Sequence, residues 1–168
     1  NETKGNTAFL SSGGAPRHLI NLLRDKFSPV RRLILGDYIS NSIKDLLNDK
    51  RRYYITHAKL SFKTPGHNTA WYPHQDNAYK RKEPRTGFAV FVCLEDMSKS
   101  NGALAVYPKS NQKGLLKHER VIENSSSDSQ LFIRNIPSDL KVLEIEARSG
   151  SFIIFDQNCI HTSTDTFT

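Results

Sequence analysis

The chain has 168 residues, with 24 Lys and Arg against 17 Asp and Glu, which gives a formal net charge of +7. Apolar residues make up 37% of it, enough to form a core, so the composition excludes a wholly disordered chain. No apolar run approaches the roughly 20 residues that cross a bilayer as a helix, and no secretory pattern opens the chain, so we expect no membrane partner.

The two cysteines predict a reducing environment. Cys93 lies inside an apolar run and Cys159 follows one, so both are expected to be buried thiols and not part of a disulfide framework. We therefore expect an intracellular, cytoplasmic protein. The basic charge balance suits an anionic partner, and it equally suits a surface that is simply well solvated.

The first 50 residues predict a polar arm (1–14) followed by a helical flank (15–50). The arm is rich in Gly and Ser and begins without Met, so we expect that a piece upstream has been removed or left out. Pro16 suits the first turn of a helix, and leucines follow it at helical spacing. A second helical stretch begins near Pro29 and is expected to divide at Gly36.

The remaining chain, 53–168, changes to the period of β-strands. Alternation from Tyr54 to Lys63 predicts one long strand. Shorter strands are expected at 71–77, 87–96, 103–107, 141–147, 151–155 and 158–163. The stretch 108–140 contains a Ser-rich run and predicts a mobile excursion. Helices followed by strands, with no helices between the strands, favour an antiparallel sandwich or barrel within a single domain, 1–168.

His74-Gln75-Asp76 is the segment that indicates chemistry. On an extended backbone, residues two apart share a face, so His74 and Asp76 converge while Gln75 points away. They make half of a metal site, and His161, in another strand-like segment, is the candidate that completes it. Two histidines and one carboxylate form the facial triad of non-haem Fe(II) oxygenases. Other histidines are expected to be solvated or to lie in a loop: His18, His118 and His67.

Further motifs surround this segment in a fixed order. They are Lys63-Thr64-Pro65-Gly66, Trp71 to Asn77, Cys93-Leu94-Glu95-Asp96, Asn101-Gly102-Ala103-Leu104, Tyr107-Pro108-Lys109-Ser110, Gly150-Ser151-Phe152 and His161-Thr162-Ser163. Together they cover about 100 residues from Lys59 to Ser163, and they resemble the phytanoyl-CoA dioxygenase family of Fe(II)/2-oxoglutarate-dependent oxygenases.

The resemblance implies a mainly β fold with flanking N-terminal helices, in which a double-stranded β-helix (a jelly-roll, cupin-like barrel) holds iron at one mouth. His74, Asp76 and His161 would be the iron ligands, 2-oxoglutarate the cosubstrate and O₂ the oxidant. In this family, oxidative decarboxylation of 2-oxoglutarate drives hydroxylation of a C–H bond. Related halogenases lack the carboxylate ligand, so Asp76 favours hydroxylation over halogenation.

The resemblance also implies contacts outside the metal site. Five residues would contact 2-oxoglutarate: Ser163, which would touch the distal carboxylate, Phe91, and one face of the long strand, namely His57, Lys59 and Ser61. Three cations directly after the metal motif are expected to attract an anionic substrate: Lys80, Arg81 and Lys82. The alternative for these eight is an ordinary role in the core or on a solvated surface.

Two features depart from the family. The turn P-G-S-H appears here as Pro108-Lys109-Ser110-Asn111, without its glycine and histidine. An arginine that pairs with the distal carboxylate of 2-oxoglutarate follows the H-x-S motif in the family, whereas this chain stops at Thr168. We expect that the sequence omits a C-terminal strand carrying that arginine; otherwise Ser163 alone would anchor the cosubstrate.

The sequence thus predicts an Fe(II)/2-oxoglutarate-dependent dioxygenase that hydroxylates a small, anionic molecule. Two alternatives stay open: the same barrel acting on a macromolecule such as a nucleic acid or a protein side chain, and a non-catalytic barrel that binds a metal or ligand. A basic module that binds nucleic acid through helices in 16–49 would leave the metal motif unexplained, so a nucleic acid partner is not expected. Neither the substrate nor the oligomeric state is predicted.

Overall fold

The computed structural model describes residues 7–10 (backbone only), 14–23, 29–48, 53–67, 69–80, 87–121 and 130–165. The chain divides into two compact units. One comprises Asn1–Leu10 and Pro16–Phe62, and the other comprises Ser11–Ala15 and Lys63–Thr168. No helix in the described part of the chain is long and apolar enough to cross a membrane.

The first unit contains a three-stranded antiparallel sheet in the order β1-β2-β3. Its strands are β1 (Thr7–Leu10), β2 (Pro16–Ile20) and β3 (Leu60–Ser61). The helix predicted from Pro16 is therefore wrong. β2 has a partner strand on each side, and pairing of this kind outweighs the helical spacing of its leucines. The predicted polar arm is wrong at Thr7–Leu10, while 1–6 and 11–13 lie outside the described residues.

Two helices follow in this unit, α1 (Pro29–Leu35) and α2 (Asp37–Leu47). The predicted division at Gly36 is confirmed. Gly36 has an extended backbone, with φ −68° and ψ 153°, which interrupts the helical hydrogen bonds and makes it the N-cap of α2. Ile39 and Ile43, four residues apart, are the buried residues of α2.

The long strand predicted from Tyr54 to Lys63 is mostly wrong. Only Leu60–Ser61 forms a strand, and 53–59 has no regular secondary structure. The sequence does alternate here, but a strand needs a partner, and the contact with β2 is limited to the pairs of Leu60 and Ser61 and one backbone hydrogen bond from Phe62 to Arg17. Tyr53 to His57 are exposed, so the alternation does not correspond to a buried face.

Among its described residues, the second unit consists of short strands joined by loops and three 3₁₀ turns. Its strands are β4 (Trp71–His74), β5 (Phe88–Val92), β6 (Leu104–Val106), β7 (Glu119–Arg120), β8 (Leu131–Phe132), β9 (Leu143–Glu144), β10 (Phe152–Asp156) and β11 (His161–Ser163). Each of the six shorter strands predicted here is present, usually a few residues shorter than expected. The predicted excursion 108–140 contains β7 and β8, and its Ser-rich run, 122–129, lies outside the described residues.

These strands form antiparallel sheets in the orders β4-β11-β6-β9, β10-β5 and β7-β8. Among the described residues, the pairings do not close a barrel. Leu104, Val106 and Cys159 form a buried core cluster, and half-buried apolar side chains from β5 and β10, including Phe91 and Ile153, pack against it. The protein is thus mainly β with few helices, and the four-stranded sheet contains both histidines of the predicted metal site.

Candidate metal site

The pairing of β4 with β11 brings the two predicted histidines together. His161 lies directly opposite His74 in the register of the two strands. The centroids of their rings are 4.2 Å apart, and both side chains are buried, with 3% of His74 and 8% of His161 exposed. The sequence separation of the two histidines is therefore bridged by a single cross-strand pair.

Asp76 completes the cluster from the turn that follows β4. It is the first residue of a 3₁₀ turn, Asp76–Tyr79, and its Oδ1 lies 3.8 Å from His74 Nε2 and 3.6 Å from His161 Nε2. These separations exceed an N–H···O hydrogen bond. The three possible ligand atoms all lie within 4.8 Å of one another. Two imidazoles and a carboxylate at this spacing suit a shared divalent cation of the facial-triad type.

Each histidine is oriented by its own backbone. His74 Nδ1 is 2.6 Å from the carbonyl oxygen of Tyr72, and His161 Nδ1 is 3.1 Å from that of Cys159. A carbonyl oxygen can only accept, so Nδ1 carries the proton in both rings. In a neutral ring this leaves the lone pair on Nε2, the atom that faces Asp76. The tautomer of both imidazoles is thus the one that metal binding through Nε2 requires.

Gln75 points away from the cluster, as the alternation predicted. Its side chain is fully buried, and its amide nitrogen donates to the carbonyl oxygens of Gly114 at 2.8 Å and Asn158 at 2.6 Å. Its amide oxygen accepts the backbone N–H of Leu116 at 2.9 Å. The residue between two metal ligands is therefore anchored to two other segments.

The prediction that His118 is solvated is wrong. Its ring is half-buried, its Nε2 accepts the backbone N–H of Gln75 at 3.0 Å, and its Nδ1 donates to the carbonyl oxygen of Leu116 at 2.9 Å. Burial lowers the pKa of His118, which favours the neutral ring that this pair of bonds needs. His18, in the first unit, is also buried and not solvated.

Ser163 lies two residues beyond His161 on β11 and is buried. Its hydroxyl accepts from Lys63 Nζ at 2.7 Å and from the backbone N–H of Trp71 at 3.3 Å. Lys63 Nζ also donates to the carbonyl oxygens of Thr69 at 2.9 Å and Thr164 at 2.7 Å. The sequence placed Lys63 in a motif without assigning it a contact, because the two residues in this ammonium–hydroxyl pair are 100 positions apart.

Gly102, in the predicted N-G-x-L motif, makes room for Lys63. It has φ +78°, and a Cβ there would lie 2.9 Å from the carbonyl oxygen of Thr164 and 3.1 Å from Lys63 Cδ. Both the backbone conformation and the space favour glycine at this position. The motif therefore keeps the lysine beside Ser163.

The other predicted contacts are distributed more widely. Phe91 is half-buried in β5, opposite Ile153, and packs against the core. Lys80 Nζ donates to the side-chain oxygen of Gln157. Some predicted residues belong to the first unit: His57, Lys59 and Ser61, all exposed, with Ser61 paired to β2. Arg81 and Lys82 lie outside the described residues.

Aromatic rings that the sequence analysis did not assign surround the histidines. The ring of Phe155 is 4.8 Å from that of His161, and the ring of Tyr79 meets His74 edge-on at 5.7 Å. Apolar surroundings of this kind restrict water around a metal ligand. The sequence could have indicated these two rings because each lies close to a metal ligand along the chain. Phe155 ends the apolar run before His161, and Tyr79 follows the metal motif.

Both cysteines are buried free thiols, as predicted. Burial raises the pKa of the Cys93 and Cys159 thiols, which keeps them protonated and unreactive near neutral pH. Cys159 contributes to the site only through its carbonyl oxygen, which accepts from His161.

Comparison with known proteins identifies the family. The model of the phytanoyl-CoA dioxygenase family matches residues 11–168. The chain belongs to this family. It is 29% identical over 114 residues to phytanoyl-CoA dioxygenase 1 of Oryza sativa subsp. japonica and 30% identical over 115 residues to phytanoyl-CoA dioxygenase of Arabidopsis thaliana. Each match covers 67% of this chain, which spans 40% and 39% of the length of these relatives.

Solved structures share the fold of this family member. EvdO2 from Micromonospora carbonacea var. aurantiaca, complexed with 2-oxoglutarate, superposes with a TM-score of 0.70 at 14% identity over 97% of this chain and 71% of that one. EctD from S. alaskensis, with 2-oxoglutarate and 5-hydroxyectoine, superposes with a TM-score of 0.65 at 20% identity over 92% and 52%.

Proposed function

We propose that this protein is an Fe(II)/2-oxoglutarate-dependent dioxygenase that hydroxylates a small, anionic molecule. The observation that carries the proposal is the cluster of His74, Asp76 and His161, with both Nε2 atoms within 3.8 Å of the Asp76 carboxylate. Membership of the phytanoyl-CoA dioxygenase family and the 2-oxoglutarate bound to two proteins of the same fold support it. The same comparisons support a double-stranded β-helix as the complete architecture.

The three side chains would hold Fe(II) on one face and leave its other positions open. A metal in such a site supplies Lewis acidity and a binding position for O₂. The net reaction converts R–H, O₂ and 2-oxoglutarate into R–OH, succinate and CO₂. The protein contributes ligand geometry, through the two Nδ1–carbonyl bonds, and exclusion of water by neighbouring rings. The carboxylate of Asp76 would occupy the position that a halide would need, which favours hydroxylation.

Ser163 and Lys63 would bind a carboxylate of 2-oxoglutarate. The Ser163 hydroxyl accepts from Lys63 Nζ at 2.7 Å and can donate its own proton to an anion, while the Lys63 ammonium, whose three N–H groups point to Ser163, Thr69 and Thr164, adds positive charge beside it. Ser163 shares its face of β11 with His161 because the two residues are two positions apart on one strand. Phe91, His57, Lys59 and Ser61 stay proposed cosubstrate contacts, which substitution to Ala and measurement of the KM for 2-oxoglutarate would test.

The anionic substrate is proposed from the charge balance. The formal charge is +7, and Lys80, Arg81 and Lys82 directly follow the metal motif. A panel of carboxylated and phosphorylated small molecules should contain compounds that stimulate succinate formation. Neutralising the three cations should raise the KM for such compounds, whereas neutralising Lys50, Arg51 and Arg52, which removes the same charge, should not. An unaltered KM in the first variant would remove this part of the proposal.

The activity itself is tested by incubating the purified protein with Fe(II), O₂ and 2-oxoglutarate and measuring succinate. We expect slow turnover without substrate, its loss in Asp76→Ala, and its retention in Asp139→Ala, a control in which an exposed aspartate is removed. If the metal binds and no succinate forms with any compound, the non-catalytic barrel is correct. If only nucleic acid or protein stimulates turnover, with a steep salt dependence for nucleic acid, the macromolecular alternative is correct.

The location we propose is an intracellular, reducing compartment. The two buried free thiols, Cys93 and Cys159, support it because neither is paired in a disulfide.

A further inference from the structure

The backbone between the two ligands from β4 is held by a side chain from a distant loop. Gln75 separates His74 from Asp76, so the rotation of its peptide groups sets the angle between the two ligand side chains. Its backbone N–H donates to Nε2 of His118, 43 residues further along the chain, at 3.0 Å. No strand accepts this N–H in the described structure, because β4 ends at His74.

The His118 ring is itself fixed for this role. Its Nδ1 lies 2.9 Å from the carbonyl oxygen of Leu116, and a carbonyl can only accept, so Nδ1 carries the proton. The Nε2 lone pair is then directed at the Gln75 N–H. Leu116 in turn donates its own N–H to the Gln75 side chain at 2.9 Å, so one short loop grips Gln75 at both its backbone and its side chain.

We propose that His118 is a positioning residue of the metal centre: by accepting the Gln75 N–H, its imidazole fixes the backbone that joins His74 to Asp76 and so sets the geometry of the metal-binding pair. The inference rests on the proposed function in that it assigns a metal to the cluster. It adds a residue outside the ligand set, which acts through one peptide N–H.

The expected loss of metal affinity follows from the effect of orienting groups in other metal sites. Groups that orient metal ligands typically change metal affinity about 10- to 100-fold when removed. His118 acts one bond further from the metal than a direct partner of a ligand, so we expect about a tenfold loss, the low end of that range. Removing the His118 acceptor would also leave the N–H of the buried Gln75 without a partner, which is itself unfavourable.

Two conservative variants separate positioning from packing. In His118→Gln, the amide oxygen reaches about as far as Nε2 and can accept the Gln75 N–H. In His118→Asn, the side chain ends near the position of Nδ1, so it can still donate to Leu116 but cannot reach Gln75. The two variants remove similar ring volume, and they differ in the one acceptor that the proposal requires.

The experiment measures Co(II) binding by calorimetry and by its visible spectrum, together with hydrogen exchange at the Gln75 amide in the metal-free protein and thermal melting as the folding control. We expect His118→Asn to lose about tenfold in Co(II) affinity, to change the Co(II) spectrum and to accelerate Gln75 exchange. His118→Gln should stay within about threefold of the wild type in affinity. Equal losses in both variants, or wild-type affinity and spectrum in His118→Asn, would overturn the proposal.

The result also distinguishes this inference from the proposed function. If the wild-type protein binds no Co(II), the metal-site assignment fails. The exchange rate of the Gln75 amide then still decides whether His118 holds this backbone. Faster exchange in His118→Asn but not in His118→Gln supports the hydrogen bond from Gln75 to His118 as the constraint, and equal rates refute it.

Discussion

Two antiparallel strand pairs of the second unit illustrate different uses of a β-ladder. β5 and β10 pair over five consecutive positions, from Phe152 opposite Val92 to Asp156 opposite Phe88, without a shift in register. β4 and β11 pair only at His161 opposite His74 and at Ser163 opposite Trp71, with a shift between them. The regular pair supplies apolar packing, whereas the irregular pair holds the polar residues of the site.

The shift explains how the site is aimed. Between the two cross-strand pairs β4 advances three residues while β11 advances two, which is the two-against-one pattern of a bulge. Thr162 Oγ1 closes the irregularity by donating to the carbonyl oxygen of Trp71 at 2.7 Å. Bulges re-aim side chains, so the ladder is interrupted at the place where three side chains must converge. The regular pair of β5 and β10 thus contributes stability, and the bulge between β4 and β11 sets the direction of the site's side chains.

The largest expected effect comes from removing a ligand on the irregular pair. His74→Ala should weaken Co(II) or Fe(II) binding by more than about 100-fold and abolish turnover, because a metal ligand is lost outright, while the thermal melt stays cooperative. Calorimetry and succinate assays measure it. His67→Ala removes a histidine from a loop outside the cluster and should change neither. Unchanged iron content in His74→Ala would contradict the metal assignment.

On the regular pair the expected effect is on stability. Ile153→Ala should lower the free energy of unfolding by about 2 kcal/mol, the low end for an Ile-to-Ala change because Ile153 is only half-buried against the core. Urea unfolding measures it. Ile154→Ala, on the opposite face of β10, should cost less. A change of more than about threefold in Co(II) affinity for Ile153→Ala would show that the two pairs are not separable in this way.

Gly102→Ala should modestly lower the stability of the protein and modestly weaken its binding of 2-oxoglutarate. We expect a loss of about 1–2 kcal/mol from a side chain in the left-handed region, and in addition a raised KM for 2-oxoglutarate because the new Cβ would displace Lys63. Gly150→Ala is the control: its φ is +85°, and a Cβ there meets nothing within 4 Å. Equal KM values in the two variants would argue against Lys63 as a carboxylate contact.

The smallest effect is the pH dependence due to His118. Burial lowers its pKa in the folded protein, so the unfolded chain takes up a proton first as the pH falls through about 6.5. The stability that neutral His118 contributes is therefore fully present above that pH and declines below it. The urea midpoint of the wild type should fall more between about pH 7.5 and pH 5.5 than that of His118→Gln. Parallel curves would contradict a buried neutral ring.

Local patterns in the sequence predicted features that depend on neighbouring residues. Gly36 separates the two helices because its own extended backbone interrupts the helical hydrogen bonds. Gln75 turns away from His74 because successive side chains of an extended backbone alternate between faces. The same reasoning failed at Pro16, where pairing with two other strands outweighs helical spacing. It failed again at 53–59, where alternation exists without a partner strand.

The non-local part of the site is predicted from the strand-like segment that contains His161, together with the family resemblance, and not from a spacing rule. No spacing rule relates His161 to His74; only the register of β11 on β4 does. Lys63 beside Ser163 and His118 beneath Gln75 were missed for the same reason, since each contact joins residues far apart in the sequence. Such side-chain partners are decided by how the loops pack, which a single sequence does not encode in any local pattern.

The bond from each ligand histidine to the carbonyl two residues before it has a consequence for protein engineering. Because the acceptor lies within the same tripeptide, Tyr72 to His74 and Cys159 to His161 each bring the orientation of their imidazole with them. Grafted into another antiparallel sheet, these two tripeptides would need only the correct cross-strand register to present two Nε2 atoms side by side. A designer would then have to supply a single carboxylate to complete a transplantable iron-binding module.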